Sequence, residues 1–314
     1  MKGNIFKILM LGGGKRVSLA RRFKEAILSF DFLPQIYSYD LTKDEPISKE
    51  AFIIQGLPWD SEKIISNLKK NIIEYNFDLI ISNVDPALPL QSILSKEFKS
   101  ASIISNSEKI AICQSKELFQ KFCEYEKLPI IPRWDKKTFP FFIKPIFGSS
   151  SVGGGLIYSR DQYLRYFKLN EEQYIKQMFI DGYEYTVDIY VDKNHVIKAI
   201  SPRERLRTAG GEVIITRTIR DEEIEVLSEK IINKLGVKGP LSIQFIKSKK
   251  DNKLWIMEIN PRLGGGVIAS IEAGYDIPKM LISDILGHNI KKLRLNNNLI
   301  MKRYFEEIFY EDNN

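Results

Sequence analysis

The spacing of apolar residues changes character along the chain. Residues 7–11 form an unbroken apolar run that ends in glycines, as a strand buried on both faces does. Residues 17–30 have helical spacing, and 35–40 read as a strand ending in Asp40. Residues 61–75 read as an amphipathic helix opened by Ser61, 78–82 as a strand, 88–98 as a helix and 101–105 as a short strand. Strands alternating with helices predict a parallel sheet with helices on both faces. Such sheets bind ligands at the carboxyl ends of their strands. Here those ends carry Gly12–Arg16, Tyr39-Asp40 and Asn83-Val84-Asp85-Pro86.

The pattern then shifts. Residues 107–126 predict one long helix carrying Lys116 and closed by Leu128-Pro129, and the domain change is expected near there. Beyond it, strands are predicted at 141–145, 174–178, 185–191, 195–199, 212–218, 241–246 and 254–259. Helices are predicted at 160–167, 221–235, 267–272 and 277–286, and Asn296–Asn298 reads as a turn. Runs of strands with helices between them predict α+β lobes around antiparallel sheets. The expectation is therefore an α/β N-terminal domain over 1–106, followed by an α+β domain of two lobes, 107–183 and 184–314.

Composition narrows the function classes. The 314 residues are 44% hydrophobic and 28% charged, ordinary for a globular protein with a sizeable core. No apolar run is long enough to span a membrane, and the apolar N-terminus reads as a first strand rather than a signal peptide. The net charge of +7 is scattered among acids, with no basic tract interleaved with aromatics. That favours a site for anionic ligands over a nucleic-acid surface. Cys113 and Cys123 lie ten apart in a predicted helix, on different faces, as reduced thiols of a cytoplasmic protein. With only His195 and His288 beside them, a zinc site is not expected.

Candidate chemistry centres on residues 254–262, Leu-Trp-Ile-Met-Glu-Ile-Asn-Pro-Arg, followed by Leu263 and Gly264-Gly265-Gly266. Glu258 and Asn260 sit two apart and share a strand face. A carboxylate beside an amide oxygen suits a hard cation such as Mg²⁺. Arg262 follows with a guanidinium fork that matches phosphate or carboxylate. Gln244 lies in the strand expected to pair with this one, so three oxygen-bearing groups would share one face. Lys144 ends another strand, and a loop rich in Gly and Ser follows, including Ser150 and Ser151. Such a loop can cover polyphosphate, with Lys144 as a point charge. It is no Walker A loop, because a strand follows it. Gln177, Met178 and Phe179 lead into a Gly-containing turn before Glu184, where backbone groups can meet an adenine edge and Glu184 two ribose hydroxyls.

Two stretches are less readable. Gly12-Gly13-Gly14 lacks the third glycine of the dinucleotide fingerprint, with Val17 in its place. It is either a loop whose N–H groups hold part of an anionic substrate, or a tight turn. Arg203, Arg205 and Arg207 are spaced to share a strand face. They form either a surface basic stripe or a loop in which Arg203 or Arg205 holds an acidic acceptor or an acyl phosphate.

Taken together, Lys116, Ile143-Lys144-Pro145 with its Ser/Gly loop, Gln177–Phe179, Glu184–Asp188, Gln244 and Glu258–Arg262 resemble the ATP-grasp superfamily. The likeness is to the branch of the carbamoyl-phosphate synthase large subunit and covers about residues 107–287, with the N-terminal part resembling a pre-ATP-grasp domain. The resemblance implies that Lys116 and Lys144 contact ATP phosphates, with Ser150 and Ser151 in the lid. It implies adenine at Gln177, Met178 and Phe179, and ribose at Glu184. Gln244, Glu258 and Asn260 would hold Mg²⁺, with Mn²⁺ as a substitute. Arg262 would steady the transferred phosphoryl group or acyl phosphate; Lys144, and Arg203 or Arg205 if their stretch closes over the site, are the further catalytic candidates. The implied activity is ATP-dependent joining of a small-molecule carboxylate to an amine or similar nucleophile, such as a thiol, through an acyl phosphate. Alternatives are bicarbonate or carbamate phosphorylation, and an ATP sensor without turnover. A homodimer is compatible with this reading; nucleic acid and membrane are not expected partners.

Overall fold

In the computed structural model, residues 4–148, 153–166, 171–288 and 296–309 are described. Ser150 and Ser151 lie outside them. Strand β1 (Ile5–Leu11), helix α1 (Val17–Leu28), β2 (Leu33–Asp40), β3 (Phe52–Gln55), α2 (Ile64–Tyr75), β4 (Leu79–Ser82) and α3 (Ala87–Leu94) make the first unit. Its sheet has the order β3-β2-β1-β4, all parallel. Alternation along β1 explains the layering. Phe6, Ile8 and Met10 pack with Leu19, Phe23 and Ile27 of α1, while Leu9 and Leu11 pack with Leu68 and Ile72 of α2.

Helices α4 (Ser107–Gln114) and α5 (Lys116–Tyr125) lead into the second part. Next come β5 (Phe141–Pro145), β6 (Gly155–Ile157), α6 (Arg160–Tyr166) and β7 (Tyr174–Met178), forming a small antiparallel sheet of order β6-β5-β7. Strands β8 (Gly182–Val191), β9 (Ile197–Ala209) and β10 (Glu212–Thr218) follow, then α7 (Glu222–Leu235), β11 (Gly239–Ser248) and β12 (Leu254–Asn260). The chain closes with α8 (Val267–Glu272), α9 (Ile277–Leu286) and β13 (Ile300–Lys302). The large sheet has the order β12-β11-β8-β9-β10-β13. The architecture is thus α/β with a parallel sheet, followed by α+β built on antiparallel sheets.

One face of the large sheet is sealed. Val187, Ile189, Leu241, Ile243, Phe245 and Ile256 pack against Phe119 of α5 and Ile224, Ile231 and Leu235 of α7. Helices α8 and α9 do not belong to this core. Val267, Ile271, Ile277 and Leu281 join the cluster on the α1 face of the parallel sheet, so that core runs across both parts of the chain.

Five elements differ from the sequence expectation. Residues 101–105 are not a strand: Ile103 and Ile104 are buried by packing, and Ser105 exchanges hydrogen bonds with the backbone of Lys238 at 2.8 and 3.0 Å. The chain crosses to the second part there instead of adding to the sheet. The helix expected over 107–126 breaks at Ser115, whose backbone is extended and whose hydroxyl accepts from the Leu118 N–H at 3.2 Å. A capping serine competes with helix continuation. As a result Lys116 begins α5, and its N–H donates to the Ile146 carbonyl just beyond β5 at 2.9 Å. The same break puts Cys113 and Cys123 in one core cluster rather than on opposed faces. Burial pushes both thiols up to about 12. Finally, His195 sits in a turn at φ +63°, so β9 begins at Ile197 and runs on through Arg203, Arg205 and Arg207. Strands β3 and β13, short and on the sheet edges, carried no sequence signal strong enough to be read.

Phe245 is fully buried in the sealed core. Phe245→Ala should cost about 3–5 kcal/mol through lost transfer energy and a cavity. A denaturant titration followed by far-UV circular dichroism should show the midpoint lowered accordingly; an unshifted midpoint would contradict this packing.

Candidate active site

On its other face the large sheet presents Thr186, Ser242, Gln244, Glu258 and Asn260, and the small sheet stands across from them. Between them is a cleft of about 1500 Å³, counting its solvent-open mouth. Six basic and three acidic side chains line it, so its field favours an anionic ligand.

The floor depends on a β-bulge. Gln244 pairs with Glu258, but the next residue, Phe245, pairs with Ile256, which leaves Met257 as an extra residue in β12. Strict alternation would send Ile256, Glu258 and Asn260 to the same face. The bulge resets the phase: Ile256 and Ile259 enter the sealed core, while Met257, Glu258 and Asn260 line the cleft. Gln244 Nε2 and Asn260 Nδ2 donate to one oxygen, Glu258 Oε1, at 2.9 and 3.1 Å. Among the described residues no protein group donates to Glu258 Oε2, Gln244 Oε1 or Asn260 Oδ1. Three oxygens of the kind a hard cation takes are left available. Among the described residues no group of three His, Cys, Asp or Glu side chains gathers to bind a metal. A cation here would rest on one carboxylate and two amides, with its remaining charge balanced by the ligand.

Lys144 faces this floor from β5. It shares a sheet face with Phe142, while Phe141 and Ile143 pack on the other face with Trp134 and Tyr163. Its ammonium is buried with no hydrogen-bond partner, 5.8 Å from the Phe142 ring centroid. Burial holds its pKa below the usual lysine value, partly offset by Glu258. Lys116 Nζ donates to the Gly148 carbonyl at 2.7 Å, at the root of the Gly/Ser loop. Gln177 Oε1, Thr186 Oγ1 and Arg203 Nη1 are likewise buried in the cleft wall without partners. Buried polar atoms are ordinarily satisfied, so this concentration of unmet groups in one cavity marks a ligand's place.

The arginines have distinct settings. Along β9, Arg203 is buried, Arg205 half-buried and Arg207 exposed, so they form no uniform surface stripe. Arg203 and Asp188 are 2% and 1% exposed, and Arg203 Nε donates to Asp188 Oδ2 at 2.8 Å. Ser270 donates to the same oxygen at 2.7 Å. A Cβ on Gly266 would lie 2.5 Å from Arg203 Nη1, so the glycine triplet is needed for close approach to this guanidinium. Arg205 pairs with Glu184 at 3.1 Å. Arg262 donates through Nε and Nη2 to the two oxygens of Asp85 at 2.7 and 3.0 Å. That bidentate pair ties the end of β12 to the first residues after β4.

The cleft thus gathers Lys116, Lys144, Gln177, Met178, Phe179, Glu184, Arg203, Arg205, Gln244, Glu258, Asn260 and Arg262. Gln177 is engaged on one side: its Nε2 donates to Gln120 Oε1 at 2.8 Å. Part of the glycine loop after β1 is tied down by the protein's own backbone and side chains. The N–H groups of Gly12, Gly14 and Arg16 go to Tyr39 O, Asp40 Oδ1 and Gly13 O at 3.1, 3.2 and 2.6 Å, and so are spent within the protein. Sequence reasoning passed over Gln120, Thr186, Glu212 and the side chain of Arg16 as individual site residues. Only Arg16 carried a signal, its position at a strand's carboxyl end.

Comparison with known proteins agrees with this geometry. Residues 170–306 match the family model described as ATP-grasp in the biosynthetic pathway with Ter operon. The chain is 27% identical over 172 residues to the arginine-specific large chain of carbamoyl phosphate synthase from Halalkalibacterium halodurans, covering 50% of this chain and 16% of that one. It is 24% identical over 219 residues to the large chain from Methanothermobacter thermautotrophicus, covering 60% and 21%. The chain therefore spans about a fifth or less of the length of these relatives. Among solved structures, N5-carboxyaminoimidazole synthetase from Staphylococcus aureus complexed with ADP superposes with a TM-score of 0.76 at 19% identity, covering 96% and 83% of the two chains. The biotin carboxylase–β-γ-ATP complex from Campylobacter jejuni gives 0.75 at 17%, covering 95% and 75%. At such identities the structural likeness is one of fold. Residues 170–306 thus carry the match to an ATP-grasp family model, and about half of the chain is similar to the large chain of carbamoyl phosphate synthase.

Removing Asp188 would strand the Arg203 charge in the interior. Asp188→Ala should destabilise the protein by about 3–5 kcal/mol. Adding Arg203→Met in the same chain should recover much of that loss, as a double-mutant cycle in thermal or denaturant unfolding would read.

Proposed function

We propose that this protein is an ATP-dependent ligase that activates a carboxylate as an acyl phosphate and joins it to an amine. One observation carries the reading. A buried, unpartnered ammonium faces a carboxylate flanked by two amide oxygens, within a cleft of net positive charge. Neutralising and positioning a phosphate chain is most of what phosphoryl transfer asks of a protein.

The roles follow from the settings of the side chains. Lys144 and Lys116 take phosphate oxygens, Lys144 gaining the partner it lacks in the free protein. Gln177 Oε1 accepts from the exocyclic amine of adenine, with Met178 and Phe179 beside the ring. Glu184, steadied by Arg205, accepts from the ribose hydroxyls. Gln244, Glu258 and Asn260 would hold Mg²⁺, which when bound neutralises charge on the transferred phosphate. Arg262, oriented by Asp85, steadies the acyl phosphate. The buried fork of Arg203 backs it. No side-chain nucleophile is needed, because the substrate carboxylate attacks the γ-phosphate and the amine then displaces phosphate.

The sequence matches to carbamoyl phosphate synthase favour a second reading, phosphorylation of bicarbonate or carbamate. Phosphate release from MgATP tests both, with bicarbonate in one arm and carboxylate–amine pairs in the other. ADP formation that requires a carboxylate and an amine supports ligation; bicarbonate alone sufficing would support the second reading. Tight MgATP binding with no turnover in either arm would leave a nucleotide sensor.

Lys144→Gln should weaken ADP binding about 10- to 100-fold, the worth of a hydrogen bond to a charged group. In the unaltered protein, raising the pH through the lowered Lys144 pKa removes the ammonium, so ADP affinity should fall with rising alkalinity. In the variant that dependence should vanish. Calorimetric titration over a pH series reads both.

A further inference from the structure

Arg16 is the cation in the cleft that the reading above does not use. It caps the N-terminus of α1 from the glycine turn, and its guanidinium reaches the cleft from the parallel sheet. Among the described residues its side chain makes no hydrogen bond and no ion pair. Its neighbours are engaged elsewhere. Arg262 is held by Asp85, and Arg303 by Glu212 at 2.6 Å and by the Gly265 carbonyl. A Cβ on Gly265 would meet Arg303 Nη2 at 3.0 Å, Arg16 Nη1 at 3.5 Å and Glu212 Oε2 at 3.7 Å, so these groups converge on one spot. Three guanidiniums there face two carboxylates, Asp85 and Glu212. Of the three, Arg16 is the one with no hydrogen-bonded carboxylate among the described residues. Burial, and then the neighbouring Arg262, lower the Arg16 pKa to about 10, which still leaves it charged near neutrality.

We propose that Arg16 is a specificity residue. Its fork binds a second anionic group, a carboxylate or a phosphate, on the substrate whose reacting carboxylate lies by Arg262. A planar fork with no protein partner is pre-set for bidentate contact with such a group. The positive end of α1 adds to its field. The inference deepens the ligase reading and rests on it for the position of the reacting carboxylate. It narrows the substrate class to molecules with two anionic groups, and it gives the N-terminal parallel sheet a direct part in selection.

The test is calorimetric titration of the full chain with succinate, with 3-phosphonopropionate and with monomethyl succinate, each with and without MgADP. Wild type should bind one of the two dianions about 10- to 100-fold more tightly than the monoester. Whichever dianion is preferred identifies the second group as carboxylate or phosphate. In Arg16→Gln the preference should disappear, in Arg16→Lys it should be partly kept, and ADP affinity should be unchanged in both. Cooperative melting at or above the wild-type temperature would confirm that both variants are folded. A wild type that binds no dianion, or does not prefer one, overturns the proposal, as does an Arg16→Gln variant that keeps the preference. Failure of wild type to bind ADP would instead overturn the ligase reading, and the arm without nucleotide still decides the role of Arg16.

Discussion

The whole site depends on a phase shift of one residue in β12. A regular strand would have to send Ile256, Glu258 and Asn260 to one side of the sheet. Either the sealed core would then take in a carboxylate and an amide, or the cleft floor would be apolar. Met257, as the extra residue, removes the conflict. Its two sides can then have opposite chemistry on the same strand: apolar contacts to α5 and α7 beneath, oxygen atoms above. Bulges are often found next to functional sites because they re-aim side chains in this way.

Charge is distributed in the cleft so that some cations are spent and others are kept. Arg203 is neutralised by Asp188, Arg205 by Glu184 and Arg262 by Asp85. These pairs set geometry. Among the described residues Lys144 and Arg16 have no such partner, and they stand at different parts of the cleft, one on the small sheet and one after β1. Burying an unpaired charge is costly, and a fold that keeps two of them is destabilised until an anion arrives. Ligand binding then satisfies the groups that folding left unmet, so the cost of burial in the free state reappears as affinity.

The two parts of the chain are joined by more than the covalent link. Residues of α8 and α9 complete the core on the α1 face of the parallel sheet, and Asp85 after β4 grips Arg262 after β12. The carboxyl end of the parallel sheet is thereby held against the cleft. That is the general location for ligands on such sheets.

Much of this was legible in the sequence, for a physical reason. Hydrophobic periodicity is local, so the parallel sheet, the antiparallel lobes and most helices could be read from spacing. The polar residues Lys144, Gln244, Glu258, Asn260 and Arg262 stood out because each interrupts or ends an apolar run that has no local use for it. Their resemblance to ATP-grasp motifs then supplied roles. What could not be read was set by partners distant in sequence. The helix break at Ser115 follows from a competing side-chain cap. The burial of Arg203 follows from Asp188 on the neighbouring strand. The N–H groups of Gly12 and Gly14 are taken by Tyr39 and Asp40. Composition and order of residues determined which groups are available for chemistry. Tertiary structure alone decided which of them are already paired and which remain open, because pairing depends on distance and burial that no spacing along the chain encodes.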